Sequence, residues 1–287
     1  MNYQHSFHVG NFADLFKHCV LCCCLDYLQQ KEKPLLAIDT HAGLGKYQLN
    51  QQNIESNQGV YRLINQANFV TSMPNVFWQI LAKINLTSVD NLAKNLQFYA
   101  GSSLLMKYIL QKKSENWQMI VAEKNQETYY QLKRNFAGSK KIFTYSMNGF
   151  DLLKTKLPPL QKRCLALIDP PYEKINLPIS LDYQNSVLAL KEAKQRFANG
   201  VYLWWYPITS QTEILAKTID EIKKLNFTEI MQVNIGINNF ILGNKMQKCG
   251  MLIINPPYSL KEQLDYFLPN LLAKLTDKDF EYKTILI

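Results

Sequence analysis

The segment Asp169-Pro170-Pro171-Tyr172 follows the apolar run Leu165-Ala166-Leu167-Ile168. Its residue types suit one demanding reaction. The exocyclic amine of an adenine is a poor nucleophile, because its lone pair is delocalised into the ring. Two acceptors aimed at the amine protons return that pair to the nitrogen. An aspartate carboxylate and the carbonyl of the next proline supply such acceptors, while the prolines stiffen the backbone and the tyrosine offers a face to an extruded base. Asp169, Pro170 and Tyr172 are therefore the expected catalytic residues, with Tyr172 also touching substrate. Holding the nitrogen in line with a methyl sulfonium would supply much of the remaining rate. Asp-Pro-Pro is also a good strand-ending turn, so the motif alone does not compel this chemistry.

Two further segments suit a cofactor. Asp39-Thr40-His41-Ala42-Gly43-Leu44-Gly45 follows the apolar run Leu35-Leu36-Ala37-Ile38. Gly43 and Gly45 let a backbone turn tightly against a ligand, and the end of a first strand is where a doubly wound sheet puts its ligand loop. Gln48 stands where the third glycine of a dinucleotide fingerprint would be, which disfavours a nicotinamide dinucleotide. Glu123 closes the run Met119-Ile120-Val121-Ala122, a position from which a carboxylate can accept both hydroxyls of a ribose. Taken singly, the loop could be only a turn and Glu123 only a solvated side chain beside Lys124. Asn255-Pro256-Pro257-Tyr258 repeats the Pro-Pro pattern. Two copies cannot share one site, and the later one reads as a structural turn.

The elements that must position these residues alternate. A helix starts near Asn11, which can cap its first turn, with Asp14 near the positive end of the helix dipole. It runs through Leu25. Strands are expected near Leu35–Ile38, Gln97–Ala100, Met119–Ala122, Lys141–Tyr145, Leu165–Ile168 and Val201–Trp205, with helices near Leu104–Leu110, Tyr129–Phe136 and Val187–Phe197. Residues 50–96, rich in Gln and Asn with apolar residues at helical spacing, read as a helical insertion subdomain within one methyltransferase-sized domain spanning 1–287. Phe227–Ile235 and Met251–Ile254 suit an antiparallel hairpin on one edge of the sheet. The fold class is α/β, with a mainly parallel sheet covered on both faces.

Composition narrows the partners. The chain has 287 residues, with 32 Lys and Arg against 23 Asp and Glu, a formal charge of +9. Such a surplus attracts a polyanion. No apolar run reaches the length of about 18 residues that a membrane helix needs, and the opening lacks the pattern of a secretory signal. A cytoplasmic protein without membrane contact is expected. Cys19, Cys22, Cys23 and Cys24 crowd one apolar segment and read as small core residues. His18, Cys19 and Cys22 could start a zinc site, but no second pair stands at ligand spacing, so no metal is expected.

The sequence resembles the RlmJ family of bacterial 23S ribosomal RNA adenine-N6 methyltransferases. The resemblance rests on Tyr3, His5-Ser6-Phe7-His8, Gly10-Asn11, Ala13-Asp14, Lys17-His18, Asp39-Thr40-His41-Ala42-Gly43, Gly101-Ser102, Leu157-Pro158-Pro159, Asp169–Tyr172, Trp205-Tyr206-Pro207 and Ile254-Asn255-Pro256-Pro257. It implies a Rossmann-like class I S-adenosylmethionine-dependent methyltransferase with a small helical insertion, acting on an adenine N6 of naked or precursor 23S rRNA. It further implies that His18, His41, Ser102, Glu123 and Asp169 contact S-adenosyl-L-methionine or line its pocket beside Gly43. Tyr3, His5 and Lys17 would close over the substrate. Where the family has Asp-Gly, this sequence has Asn148-Gly149, which keeps a hydrogen-bonding side chain for the cofactor's adenine ring and removes its charge. Read without the family, His5, His8 and Lys17 would pass as surface residues, and Asp14 with His18 as a local ion pair.

Three other readings share some of these residues: a DNA adenine-N6 methyltransferase, a protein glutamine methyltransferase using Asn255–Tyr258, and a non-catalytic RNA-binding protein with the same fold. No extended apolar heptad is present, so a monomer is expected.

Overall fold

The computed structural model describes residues 8–50, 52–113, 115–172, 181–210, 212–237 and 246–287. Tyr3 and His5 lie outside the described residues, as do residues 238–245 between the two late strands.

Helix α1 (Phe12–Leu28) opens the fold, with the Asn11 side chain accepting from the Asp14 amide as its cap. Strand β1 (Leu35–Asp39) follows. Helices α6 (Ser102–Lys113), α7 (Gln126–Asn135), α8 (Gly149–Lys156), α9 (Leu181–Phe197) and α10 (Thr212–Lys223) then alternate with strands β4 (Trp117–Glu123), β5 (Ile142–Ser146), β6 (Cys164–Ile168), β7 (Val201–Ile208) and β8 (Ile230–Ile237). Strand β9 (Lys248–Ile254), helix α11 (Leu260–Leu275) and strand β10 (Phe280–Leu286) complete it. The eight-stranded sheet runs β10-β8-β9-β7-β6-β1-β4-β5. Pairings across β5, β4, β1, β6 and β7 are parallel, and β9 pairs antiparallel with both β7 and β8.

Alternate residues of each central strand face opposite cores. Leu35 and Ala37 of β1 join Val121 and Leu167 on one side, with α1, α6 and α11. Leu36 and Ile38 join Ala122, Ile168 and Trp204 on the other, with α8 and α9. Burial on both faces is why these strands read as continuous apolar runs. All six cysteines are free and buried. Among the described residues no helix is long and apolar enough to cross a membrane.

Two expectations about strands need correction. The strand read at Gln97–Ala100 is β3 (Phe98–Ala100), and it lies outside the main sheet, paired antiparallel with the short β2 (Lys46–Gln48). The two strands bracket residues 50–96, so their ladder ties off the base of that segment instead of extending the parallel sheet. The late strand pair is not the sheet edge: β9 slots between β7 and β8, and β10, which was not anticipated, adds outside β8. After the crossover helix α10, β8 runs parallel to β7 but one strand away, and β9 fills the gap antiparallel to both.

Between β2 and β3 the chain is helical. Short helices α2 (Ile54–Ser56), α3 (Arg62–Ile64) and α5 (Leu92–Asn95) flank the longer α4 (Asn75–Ile84). Val60, Leu63, Phe77, Trp78 and Leu81 are fully buried in the same core as α1.

One helix start is set by close approach. A Cβ on Gly149 would fall 1.8 Å from the Thr40 carbonyl oxygen, so the N-terminus of α8 touches the loop after β1 only because that residue has no side chain. We expect Gly149→Ala to cost about 1–3 kcal/mol in urea unfolding, the usual penalty of overpacking a tight contact. Thermal and chemical melts equal to wild type would contradict this.

Candidate active site

The parallel strands end together at one edge of the sheet, and β6, β1 and β4 are consecutive there. Asp39 ends β1, Glu123 ends β4, and Asp169 follows β6. Residues read separately from the sequence thus converge.

Helix α1 crosses behind this edge with every residue from Phe12 to Leu25 buried. Its polar residues must find partners inside, because a buried charge left unpaired is expensive. Lys17 does so twice: its Nζ donates to Asp14 Oδ1 at 2.9 Å and to Asp169 Oδ2 at 2.6 Å. Asp14 Oδ2 in turn accepts from the Gly10 amide at 3.0 Å. Burial alone would push the Lys17 ammonium down, but the two carboxylates outweigh it and hold its pKa well above the ordinary lysine value. The charged lysine is therefore fixed beside the candidate catalytic carboxylate, 6.0 Å from the Trp205 ring centroid.

His18 is next in sequence and points elsewhere. Successive helical residues are rotated by roughly 100°, so the two side chains cannot both face β6. His18, 1% exposed, shares a 2.8 Å hydrogen bond with the Tyr99 hydroxyl. It supports the core beside β3 and has no open face for a ligand in this conformation.

The glycine loop is shaped as a cradle. Gly43 and Gly45 adopt φ of +57° and +75°, and a Cβ on Gly43 would lie 2.0 Å from the Tyr47 hydroxyl oxygen. The Gly43 amide donates to Glu123 at 3.1 Å, and the Asn125 amide to the other oxygen at 2.7 Å. Burial pushes the Glu123 carboxyl up, and these amides oppose the rise. His41 lies edge-on to Phe150, ring centroids 4.9 Å apart, and burial lowers its imidazole to about 3, so it is a neutral flat ring. Asn148 caps α8, its Oδ1 accepting from Phe150 at 3.1 Å.

Asp39, placed by the sequence only as the first residue of the ligand loop, is fully buried and accepts from the Ser102 hydroxyl at 2.6 Å. Burial raises its carboxyl to about 7, helped by the nearby Asp169 charge and opposed by Ser102. Ser102, expected to meet a cofactor directly, is thus engaged with Asp39 at the start of α6. Asp14 was likewise read only as a dipole or ion-pair residue. The signal that could have found both is a carboxylate in a fully apolar stretch.

Tyr172 departs from its expected role. It sits at φ +50°, is 3% exposed, and donates its hydroxyl to the Trp205 carbonyl at 2.7 Å, with Tyr183 and Trp205 against its ring. Its ring is packed rather than offered to a base. The left-handed backbone at the end of the Pro-Pro turn directs the side chain back under β7, where it pins the turn. Asn255 has the same backbone sign, φ +52°, and its amide donates to the Ala198 and Gly200 carbonyls at 2.8 Å each. That amide is spent on holding chain, in line with the structural-turn reading of Asn255–Tyr258.

A parallel sheet with its ligand loop after the first strand, and one antiparallel strand slotted next to the last crossover strand, defines the class I S-adenosylmethionine-dependent methyltransferase fold. The family model described as "Ribosomal RNA large subunit methyltransferase D, RlmJ" matches residues 32–285. The chain belongs to this family. It is 32% identical to ribosomal RNA large subunit methyltransferase J of Escherichia coli (strain K12) over 289 residues, covering 99% of this chain and 98% of that protein. The Haemophilus influenzae protein of the same name is 33% identical over 281 residues, covering 96% and 94%. The crystal structure of protein LPL1258 from Legionella pneumophila str. Philadelphia 1 superposes with a TM-score of 0.81 at 26% identity, covering 97% of this chain and 98% of the other.

Two outcomes follow from the buried charges. Lys17→Met would strand two carboxylates and should destabilise the fold by about 3–5 kcal/mol in urea titration; adding Asp169→Asn should recover part of that loss, and two additive effects would argue against the pairing. For Asp39 the folded carboxyl binds its proton more tightly than the unfolded one, whose value is about 3.9. Its stabilising contribution is therefore complete below about pH 4 and lost as pH rises through about 7. Unfolding free energies measured from acid to mildly alkaline pH should shift in favour of Asp39→Asn as pH rises; a difference that stays constant with pH contradicts the assignment.

Proposed function

We propose that this protein transfers a methyl group from S-adenosyl-L-methionine to the exocyclic N6 of an adenine in 23S rRNA, as one domain spanning 1–287 with residues 50–96 inserted. The observation that carries this reading is the Asp169 carboxylate, held by Lys17 at the end of β6, beside the glycine loop of β1. The printed names of the curated relatives support the ribosomal RNA substrate.

The residues present fit the methyl donor. Gly43 and Gly45 leave a cradle that a Cβ would fill, Glu123 offers a carboxylate to ribose hydroxyls, and the neutral His41 ring and Asn148 flank the same edge. When bound, S-adenosylmethionine supplies an electrophilic methyl group on a sulfonium. Asp169 and the Pro170 carbonyl would accept hydrogen bonds from the two amine N–H groups, returning the lone pair to N6 as the new C–N bond forms and the methyl–sulfur bond breaks to leave a neutral thioether. The proton then shed goes to the Asp169 carboxylate, which the 2.6 Å ion pair with Lys17 holds in place. Lys17 is thus a positioning residue on the substrate side, Tyr172 buttresses the turn, and Ser102 acts through Asp39. His18, Gly149 and Tyr172 serve the site through packing.

The test is methyl transfer from radiolabelled S-adenosylmethionine to deproteinised 23S rRNA, with nuclease digestion and mass spectrometry to identify the product nucleoside. Asp169→Ala should lower kcat by at least about a hundredfold, the scale of losing one preorganised polar group. Asn255→Ala should retain kcat while lowering stability. Equal activity of wild type and Asp169→Ala, or a product other than N6-methyladenosine, defeats the reading; faster transfer to duplex DNA than to RNA would favour a DNA methyltransferase instead.

A further inference from the structure

One face of this protein brings several lysines from different elements together over aromatic rings. Lys83, on α4, lies 4.7 Å from the Tyr108 ring centroid, and Lys107, on α6, lies 5.9 Å from the same ring and 5.5 Å from Phe136 at the end of α7. Lys112 is one helical turn beyond Tyr108 and donates to Gln79, which is one turn before Lys83. The row Tyr108–Lys112 on α6 therefore faces the row Gln79–Lys83 on α4. Lys46, directly after the glycine loop, lies 3.9 Å from the Phe98 ring centroid.

Among the described residues none of these four ammonium groups is paired with a carboxylate. Glu115, the first acidic residue after α6, is taken by Lys141. Like charges crowded this way repel, and the cost is visible: burial, then the Lys83 charge, lowers the pKa of Lys107. An anionic partner would remove that cost. The surface also leads to the site. Ser102, which bonds Asp39, opens α6, so Lys107 and Lys112 lie about 7 and 15 Å further along the same helix axis, and a Cβ on Gly45 would lie 3.6 Å from Phe136.

The geometry points to a track for the RNA phosphate backbone formed by Lys46, Lys83, Lys107 and Lys112, running from the glycine loop down the α4–α6 face. It rests on the proposed RNA substrate. Phosphates would meet the ammonium groups, while the half-buried rings of Phe98 and Tyr108 beside them offer aromatic surface to unpaired bases. The lysines carry no sequence information; their role is to raise affinity and hold the strand while a single adenine enters beside Asp169.

Filter binding of deproteinised 23S rRNA across a potassium chloride series tests the track. For Lys83→Gln/Lys107→Gln/Lys112→Gln, the slope of log affinity against log salt should fall by about 2, and Kd near 0.1 M salt should rise roughly tenfold. The KM for RNA in methyl transfer should rise in step, with kcat at saturating RNA within about twofold of wild type. A folded triple variant with unchanged Kd and slope overturns the proposal, as does a fall in kcat with Kd unchanged. Should the triple variant lose its circular dichroism melt, the exposed single changes Lys83→Gln and Lys112→Gln decide: each should lower the slope by about 0.7, and no change in either overturns the track. A wild-type protein that binds 23S rRNA without methylating it defeats the proposed function and leaves the lysine result standing. A wild type that methylates while the variants bind normally defeats the track alone.

Discussion

A single buried ammonium organises the candidate active edge of the sheet. Lys17 projects from a helix that is buried along its first fourteen positions and sits between Asp14 of its own helix and Asp169 of a strand end 152 residues away. In water such a trio would contribute little. Inside the protein none of the three charges can return to solvent without carrying α1 or the Pro-Pro turn with it, so each fixes the other two. The N-terminal helix and the sheet edge are thereby locked in one geometry, and the carboxylate of Asp169 is held in one orientation.

Much of the remaining architecture reads as support for that contact. Asn11 caps α1, and Gly10 gives its amide to Asp14, so the start of the helix cannot fray away from its lysine. Tyr172 anchors the other side of the turn to β7 through the Trp205 carbonyl. Asp39 and Ser102 tie the end of β1 to the start of α6, and Gly149 lets α8 close on Thr40. Four elements are drawn onto one strand edge by contacts that are each short and specific, while the apolar cores on both faces of the sheet supply the bulk of the stability.

The helical segment between β2 and β3 belongs to the same economy. It is closed at its stem by a three-residue antiparallel ladder and packed by Val60, Leu63 and Trp78 onto the core of α1. On its outer face, with α6, Lys83, Lys107 and Lys112 stand without a carboxylate partner among the described residues. Such unpaired charge costs stability by self-repulsion, and it is the kind of surface that attracts a polyanion.

The sequence by itself determined the α/β class, most central strands, the cap at Asn11 and the convergence of the glycine loop, Glu123 and Asp169, because these follow from local periodicity and from where a parallel sheet ends its strands. It also marked Asn255–Tyr258 as a turn. Only the tertiary structure decided that Lys17 faces Asp169 while His18 faces Tyr99, that Tyr172 is packed rather than presented, that Asp39 is a buried acid, and that β9 fills the gap beside β7 with β10 outside. Those outcomes depend on which side of an element meets which distant neighbour. Pairing over 80 or 150 residues leaves no periodic trace in the chain, and a buried charge declares itself only when its surroundings are known.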